Sequence, residues 1–123
     1  MKKYLVIGNP IEHSLSPEIH NYWLKKNNIN AIYEKRKLNS DDIEELVGEI
    51  RNDKISGINV TVPFKKDVIP FLDDLSKEAS ITQSVNTILL TDNKITGHNT
   101  DIAGFQISLR DTEFNLKNKK VLI

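Results

Sequence analysis

Four short polar clusters interrupt an otherwise ordinary apolar pattern, and their residue types could do chemistry together. The first is Ser14-Leu15-Ser16-Pro17. Ser16 before Pro17 reads as a helix N-cap with proline in the first turn. A helix N-terminus also offers unpaired N–H groups and the positive end of a dipole. With two hydroxyls beside it, that end suits a carboxylate as well as it suits a plain cap. The second cluster runs from Asn59 through Thr61 to Lys65. Asn59 and Thr61 alternate with Val60 and Val62, so their side chains share one face of a strand. Polar groups on a buried strand need partners, supplied by each other or by a ligand. The third is Asn86 in the apolar run 85–88, either a turn residue bonded to the backbone or a binding amide. The fourth is Thr100-Asp101 at a strand-to-helix turn, where either residue suits a cap. Gly104 follows inside an apolar helix, where glycine costs about 1 kcal/mol relative to alanine. It predicts close approach of a backbone or ligand. Hydroxyls and a dipole for an anion, amides for hydroxyls, and lysine with aspartate for proton transfer together suit a polyhydroxylated carboxylate.

Other chemistries lack their residues. The five glycines, Gly8, Gly48, Gly57, Gly97 and Gly104, have neither the G-x-G-x-x-G nor the Walker A spacing. The three histidines, His13, His20 and His98, form no H-E-x-x-H. His13 lies close to Ser14 and Ser16, but no G-x-S-x-G elbow exposes a serine. There are no cysteines, which removes disulfides, thiolate catalysis and cysteine metal sites. Lys+Arg and Asp+Glu both number 17, so the balance offers no footprint for nucleic acid or an anionic membrane surface. The apolar run 4–7 after Met-Lys-Lys is too short for a signal peptide. No stretch approaches the ~20 apolar residues of a membrane span. The expectation is a cytoplasmic protein without metal.

These residues must be held by alternating strands and helices. Residues 4–7 read as a buried strand closed by Gly8-Asn9-Pro10. A helix opening at Ser16 carries Ile19, Tyr22 and Trp23 as one apolar stripe and ends at Asn27-Asn28. Residues 31–38 alternate as a half-exposed strand. Asn39-Ser40-Asp41-Asp42 starts a helix whose Ile43, Leu46, Val47 and Ile50 give the cleanest helical spacing in the chain. Residues 57–62 form a β run stopped by Pro63. Short helices are expected over 65–72 and 75–81. Strands over 85–90 and 94–97 flank a turn at Thr91-Asp92-Asn93, and a helix from Thr100-Asp101 carries Ile102, Phe105 and Leu109. The expected fold is a three-layer α/β sandwich, a mostly parallel sheet flanked by helices with an antiparallel hairpin. Residues 1–110 form one domain. Residues 111–123 read as a junction and the first strand of a further domain, with Val121-Leu122-Ile123 an unfinished strand.

The order S-x-S-P, N-V-T-V-P-F-K, V-N-T and G-x-N-T-D-x-x-G resembles that of the shikimate dehydrogenases and their quinate-using relatives. Here these are Ser14 to Pro17, Asn59 to Lys65, Val85 to Thr87 and Gly97 to Gly104, in a likeness running from Tyr4 to about Leu109. The resemblance implies that Ser14 and Ser16 hold a substrate carboxylate. It implies that Asn59, Thr61, Asn86 and Asp101 bind ring hydroxyls, and that Lys65, coupled to Asp101, is the acid/base residue. The family reaction is NADP(H)-linked interconversion of 3-dehydroshikimate and shikimate, in aromatic (chorismate) biosynthesis. The resemblance places NADP on a second domain with a glycine-rich turn, beyond Ile123, and leaves this chain inactive alone. Quinate/shikimate specificity and a free-standing binding module without redox chemistry are the alternatives, and a homodimer is among the expected partners. Gln83-Ser84 stands where the family usually has Gly-Ala, and His98 occupies a variable position without an assigned role.

Overall fold

The computed structural model describes residues 1–122. Its centre is one six-stranded sheet, formed by β1 (Lys2–Gly8), β2 (Ala31–Lys37), β3 (Gly57–Val60), β4 (Asp74–Leu75), β5 (Thr87–Thr91) and β6 (Lys94–His98) in the order β2-β1-β3-β5-β6-β4. The β1–β2, β1–β3 and β4–β6 pairs are parallel. The β3–β5 and β5–β6 pairs are antiparallel. The helices are α1 (Ser16–Lys26), α2 (Ile43–Arg51), α3 (Lys77–Thr82) and α4 (Asp101–Asp111). The mixed, mostly parallel sheet with flanking helices is the architecture expected.

Strand alternation sorts the side chains onto two faces. Leu5, Ile7, Ile58, Val60 and Ile88 join Ile43, Leu46, Val47 and Ile50 of α2 and Ala79 of α3 in the main core. The helical spacing of α2 therefore reads out as burial, and Asn39 starts this segment with a capping box to Asp42. On the other face, Val6, Ile11 and Tyr33 form a smaller cluster, packed by Tyr4 and by Leu24 of α1. The turn between β5 and β6 places Asp92 and Asn93 at φ 50° and 62°, as a two-residue hairpin connection requires.

Five expectations are corrected. The stripe of Ile19, Tyr22 and Trp23 faces outward, at 45%, 61% and 52% exposure. Asn21 sets this rotation: its Nδ2 donates to the Tyr33 carbonyl at 2.7 Å, and its Oδ1 accepts from the Tyr33 N–H at 2.9 Å. That amide completes the edge of β2, and polar residues of α1 turn inward with it. Residues 65–72 form turns and a 3₁₀ segment, Ile69–Phe71, not an α-helix. Pro70 lacks an N–H, and in an α-helix its ring would meet the Lys66 carbonyl. Leu75 lies in β4, and α3 begins after Ser76, whose Oγ accepts from the Ala79 N–H at 3.2 Å. The strands are shorter at the site than the apolar runs suggest: β3 stops at Val60 and β5 starts at Thr87, leaving Thr61, Val85 and Asn86 as strand-end loop. Residues 120–122 belong to no strand, and Ile123 lies outside the described residues.

Candidate active site

Strand direction brings the four polar clusters together. Parallel β1 and β3 end on one side of the sheet. Antiparallel β5 begins beside the end of β3, and β6 ends beside the start of β5. The segments after β1, β3 and β6 and before β5 thus meet at one rim. A cleft of about 330 Å³ opens there, lined by Ser16, Asn59, Thr61, Lys65, Asn86 and Asp101 together with His20 and Thr100. Ser14 lines an adjoining recess of about 280 Å³, which shares Val6, Ser16 and Thr61 with the cleft. All seven expected residues therefore surround one connected space.

Gly8 allows that convergence. A Cβ built there would lie 2.7 Å from Thr61 Cγ2 and 3.1 Å from the Val62 carbonyl, so the ends of β1 and β3 close up only over glycine. Gly104 does not act this way: nothing lies within 4 Å of a Cβ built on it.

At the α1 end, Ser16 is the first helical residue and Leu15 the N-cap, which corrects the capping expectation. Ser14 Oγ accepts from the Ser16 N–H at 3.3 Å. Pro17 has no N–H, so of the first two helical amides one is taken and one absent. The hydroxyls of Ser14 and Ser16 and the N–H of Glu18, the third helical residue, are then the groups at this end that can meet an anion.

Lys65 Nζ donates to Asp101 Oδ2 at 2.6 Å. The Asp101 carboxylate is aimed rather than loose. Asn99, not Thr100 or Asp101, caps α4: its Oδ1 accepts from the N–H groups of Asp101 at 3.0 Å and Ile102 at 3.3 Å. This frees the Asp101 side chain to turn into the cleft. There Asn86 Nδ2 donates to Asp101 Oδ1 at 2.9 Å and to Thr100 Oγ1 at 2.8 Å. Asn86 Oδ1 accepts from the Thr100 N–H at 3.0 Å and the Thr87 hydroxyl at 3.1 Å. Both hydrogens and both lone pairs of this buried amide are thus engaged.

Sequence reasoning missed Tyr33, His20, Thr87 and Asn99. The Tyr33 hydroxyl donates to Asn59 Oδ1 at 2.7 Å, and Asn59 Nδ2 donates to Thr87 Oγ1 at 3.1 Å. Burial pushes the Tyr33 phenol up to about 12, with the Ser16 hydroxyl partly opposing it. His20 stacks on Tyr33 with ring centroids 4.1 Å apart and planes at 9°. Its Nδ1 lies 2.8 Å from the Ser16 carbonyl, which only accepts, so Nδ1 carries the proton. The i, i+4 spacing of Ser16 and His20 was the available signal for His20. Thr87 closes the V-N-T motif without being singled out there, and nothing local marks Tyr33.

Lysine paired with a carboxylate inside a cleft of amides and hydroxyls can hold a polyhydroxylated ring and pass a proton to it. Among the described residues no three His, Asp or Glu side chains gather closely enough to hold a metal ion. No helix of the described residues is long and apolar enough to cross a membrane.

Comparison with known proteins decides the family. Residues 6–88 match the family model described as the shikimate dehydrogenase substrate binding domain. The chain belongs to this family. Among members of the shikimate dehydrogenase family, it is 65% identical over 122 residues to the shikimate dehydrogenase (NADP(+)) of Pelagibacter ubique (strain HTCC1062), covering 99% of this chain and 46% of that protein. The corresponding protein of Streptococcus thermophilus (strain ATCC BAA-491 / LMD-9) is 42% identical over 118 residues, 96% of this chain and 41% of its own length. The crystal structure of shikimate 5-dehydrogenase from Thermus thermophilus in complex with shikimate superposes with a TM-score of 0.88 at 32% identity, covering 97% of this chain and 46% of that one. That from Listeria monocytogenes, in complex with shikimate and NAD, has a TM-score of 0.88 at 30% identity over 94% of this chain and 40% of that one. The chain spans less than half the length of these relatives.

Proposed function

We propose that this chain is the substrate-binding half of an NADP-dependent shikimate dehydrogenase, which reduces the ring ketone of 3-dehydroshikimate to the secondary alcohol of shikimate. The observation that carries the reading is the Lys65–Asp101 pair, 2.6 Å apart at a cleft lined by amides and hydroxyls. The 65% identity to a shikimate dehydrogenase supports it.

In this reading Ser14 and Ser16 hold the ring carboxylate through their hydroxyls. Asn59, Thr61 and Asp101 meet ring hydroxyls. Asn86 fixes the Asp101 carboxylate, and a direct hydroxyl contact at Asn86 displaces one of its four partners. Reduction leaves negative charge on the former ketone oxygen, and that oxygen needs a proton. Lys65 Nζ has one protein hydrogen-bond partner among the described residues, Asp101, so it has hydrogens left to stabilise the oxyanion and to donate. Asp101 holds the ammonium in place.

The residues here do not fit NADP itself. Cβ atoms built on Gly8, Gly57 and Gly97 would meet the chain's own atoms at 2.7, 3.3 and 2.5 Å, so these glycines pack the domain rather than cradle a phosphate. The reading assigns the cofactor to a second domain, and the chain's 46% share of its relative's length supports that division.

The test is Lys65→Ala in the full-length protein. A positioned general acid contributes about 10²–10⁴-fold, and kcat falls by that factor while KM changes little. A KM that rises while kcat holds removes the catalytic assignment.

A further inference from the structure

The polar groups of the cleft form one directed chain. Tyr33 donates to Asn59, Asn59 to Thr87, Thr87 to Asn86, and Asn86 to Asp101, which Lys65 meets from the other side. An amide can in principle sit either way round, but Asn59 cannot. One end of it lies 3.3 Å from the Asn86 carbonyl, which only accepts, so that end is Nδ2. Oδ1 therefore faces Tyr33, and the phenol must donate. Both Asn59 hydrogens are then committed, to Thr87 Oγ1 and the Asn86 carbonyl. One lone pair of Oδ1 is all that remains for a ligand. Asn59 can accept from a ring hydroxyl but has nothing to donate to a ketone oxygen.

We propose that Tyr33 is a positioning residue for substrate orientation: the Asn86 carbonyl selects the polarity of the Asn59 amide, and the Tyr33 hydroxyl, donating to Oδ1, holds the amide in that orientation, so that a ring hydroxyl docks there and the ketone is left to Lys65. This rests on the reading that the cleft binds a shikimate-type ring. Tyr33 is well held for the task. It is 4% exposed, its ring is stacked on His20, and both its backbone groups are bonded to Asn21. Its hydroxyl is the only donor the structure gives to Asn59 Oδ1 among the described residues.

The experiment is steady-state kinetics of the full-length protein with Tyr33→Phe, which keeps the ring and its stacking. The probes are shikimate and two analogues, each lacking one non-reacting ring hydroxyl. Loss of one neutral hydrogen bond predicts a rise in shikimate KM of about 3–10-fold with kcat changed less. The wild type penalises the analogue that lacks the hydroxyl facing Asn59. In Tyr33→Phe that penalty shrinks, because Asn59 Oδ1 loses its anchor and the amide, still held at Nδ2, no longer presents its oxygen in one fixed direction. A folded Tyr33→Phe protein with unchanged KM and unchanged penalties for both analogues overturns the proposal. Thr87→Val, which removes one of the two acceptors for Asn59 Nδ2, provides a second variant and predicts a loss of discrimination in the same direction. Asn59→Ala separates the two levels. If Asn59→Ala raises KM and Tyr33→Phe does not, only the positioning role fails; if Asn59→Ala changes nothing, the substrate reading of the cleft fails with it.

Discussion

Replacing Asn86 by aspartate keeps the size of a buried side chain and inverts half of its chemistry. Asn86 Nδ2 now donates to Thr100 Oγ1 at 2.8 Å and to Asp101 Oδ1 at 2.9 Å. In Asn86→Asp an acceptor stands in that place. Two carboxylates with centres about 4 Å apart repel by about 4 kcal/mol at an effective dielectric of about 20. Lys65, 2.6 Å from Asp101, offsets part of this. The lost bond to a charged acceptor, about 1.5–3 kcal/mol, acts in the same direction as the repulsion. The two bonds accepted at Oδ1 survive. The expected loss of stability at pH 7 is about 3–5 kcal/mol. Acid relieves the loss: one carboxyl of the close pair takes up a proton and becomes a donor again. Urea unfolding of wild type and variant at pH 7 and pH 4.5 measures both terms. The loss relative to wild type should shrink by at least half at the lower pH. A loss below about 1 kcal/mol at pH 7, less than one charged hydrogen bond, refutes the four-bond account of Asn86. So does an equal loss at both pH values.

Other predictions draw on separate parts of the structure. Gly97→Ala places a Cβ 2.5 Å from Leu72 Cδ1 and 2.9 Å from Val85 Cγ2. Such overpacking costs about 1–3 kcal/mol, read by urea or thermal unfolding. Ser76→Ala removes the cap of α3 and costs about 1 kcal/mol in the same assay. Burial pushes the Tyr33 phenol up to about 12 in the folded chain, against 10.0 for an ordinary tyrosine. Its stabilisation is complete below pH 10 and is lost as pH rises through 10 to 12, by up to about 2–3 kcal/mol. A phenolate absorbance titration should show a late step, and Tyr33→Phe should abolish it. Ser14→Ala in the full-length protein should weaken shikimate binding by about 1.5–3 kcal/mol while leaving binding of its methyl ester nearly unchanged.

The elements that pack by a single local period were legible in the sequence. The spacing of Ile43, Leu46, Val47 and Ile50 is the buried face of α2 without adjustment. The hairpin was visible because Asp92-Asn93 can adopt the backbone its turn needs. The seven polar residues were legible because four loops flank strands whose directions bring them to one rim. What the sequence concealed depends on partners far along the chain. The rotation of α1 is set by Asn21 bonding to Tyr33, 12 residues away, and it outweighs the apolar stripe of Ile19, Tyr22 and Trp23. Tyr33 meets Asn59 across 26 residues, and Asn59 meets Thr87 across 28. Tyr33 and Thr87 each look like an ordinary strand residue alone. Their role comes from register, which places Val6, Asn59 and Thr87 side by side on one face.

The most direct test of the central claim is a titration of shikimate into the isotope-labelled chain, followed by NMR, with NADP as control ligand. The account predicts shifts clustered on Ser14, Ser16, Asn59, Thr61, Lys65, Asn86 and Asp101, and none from NADP. Silence from these residues both in this chain and in the full-length protein contradicts it.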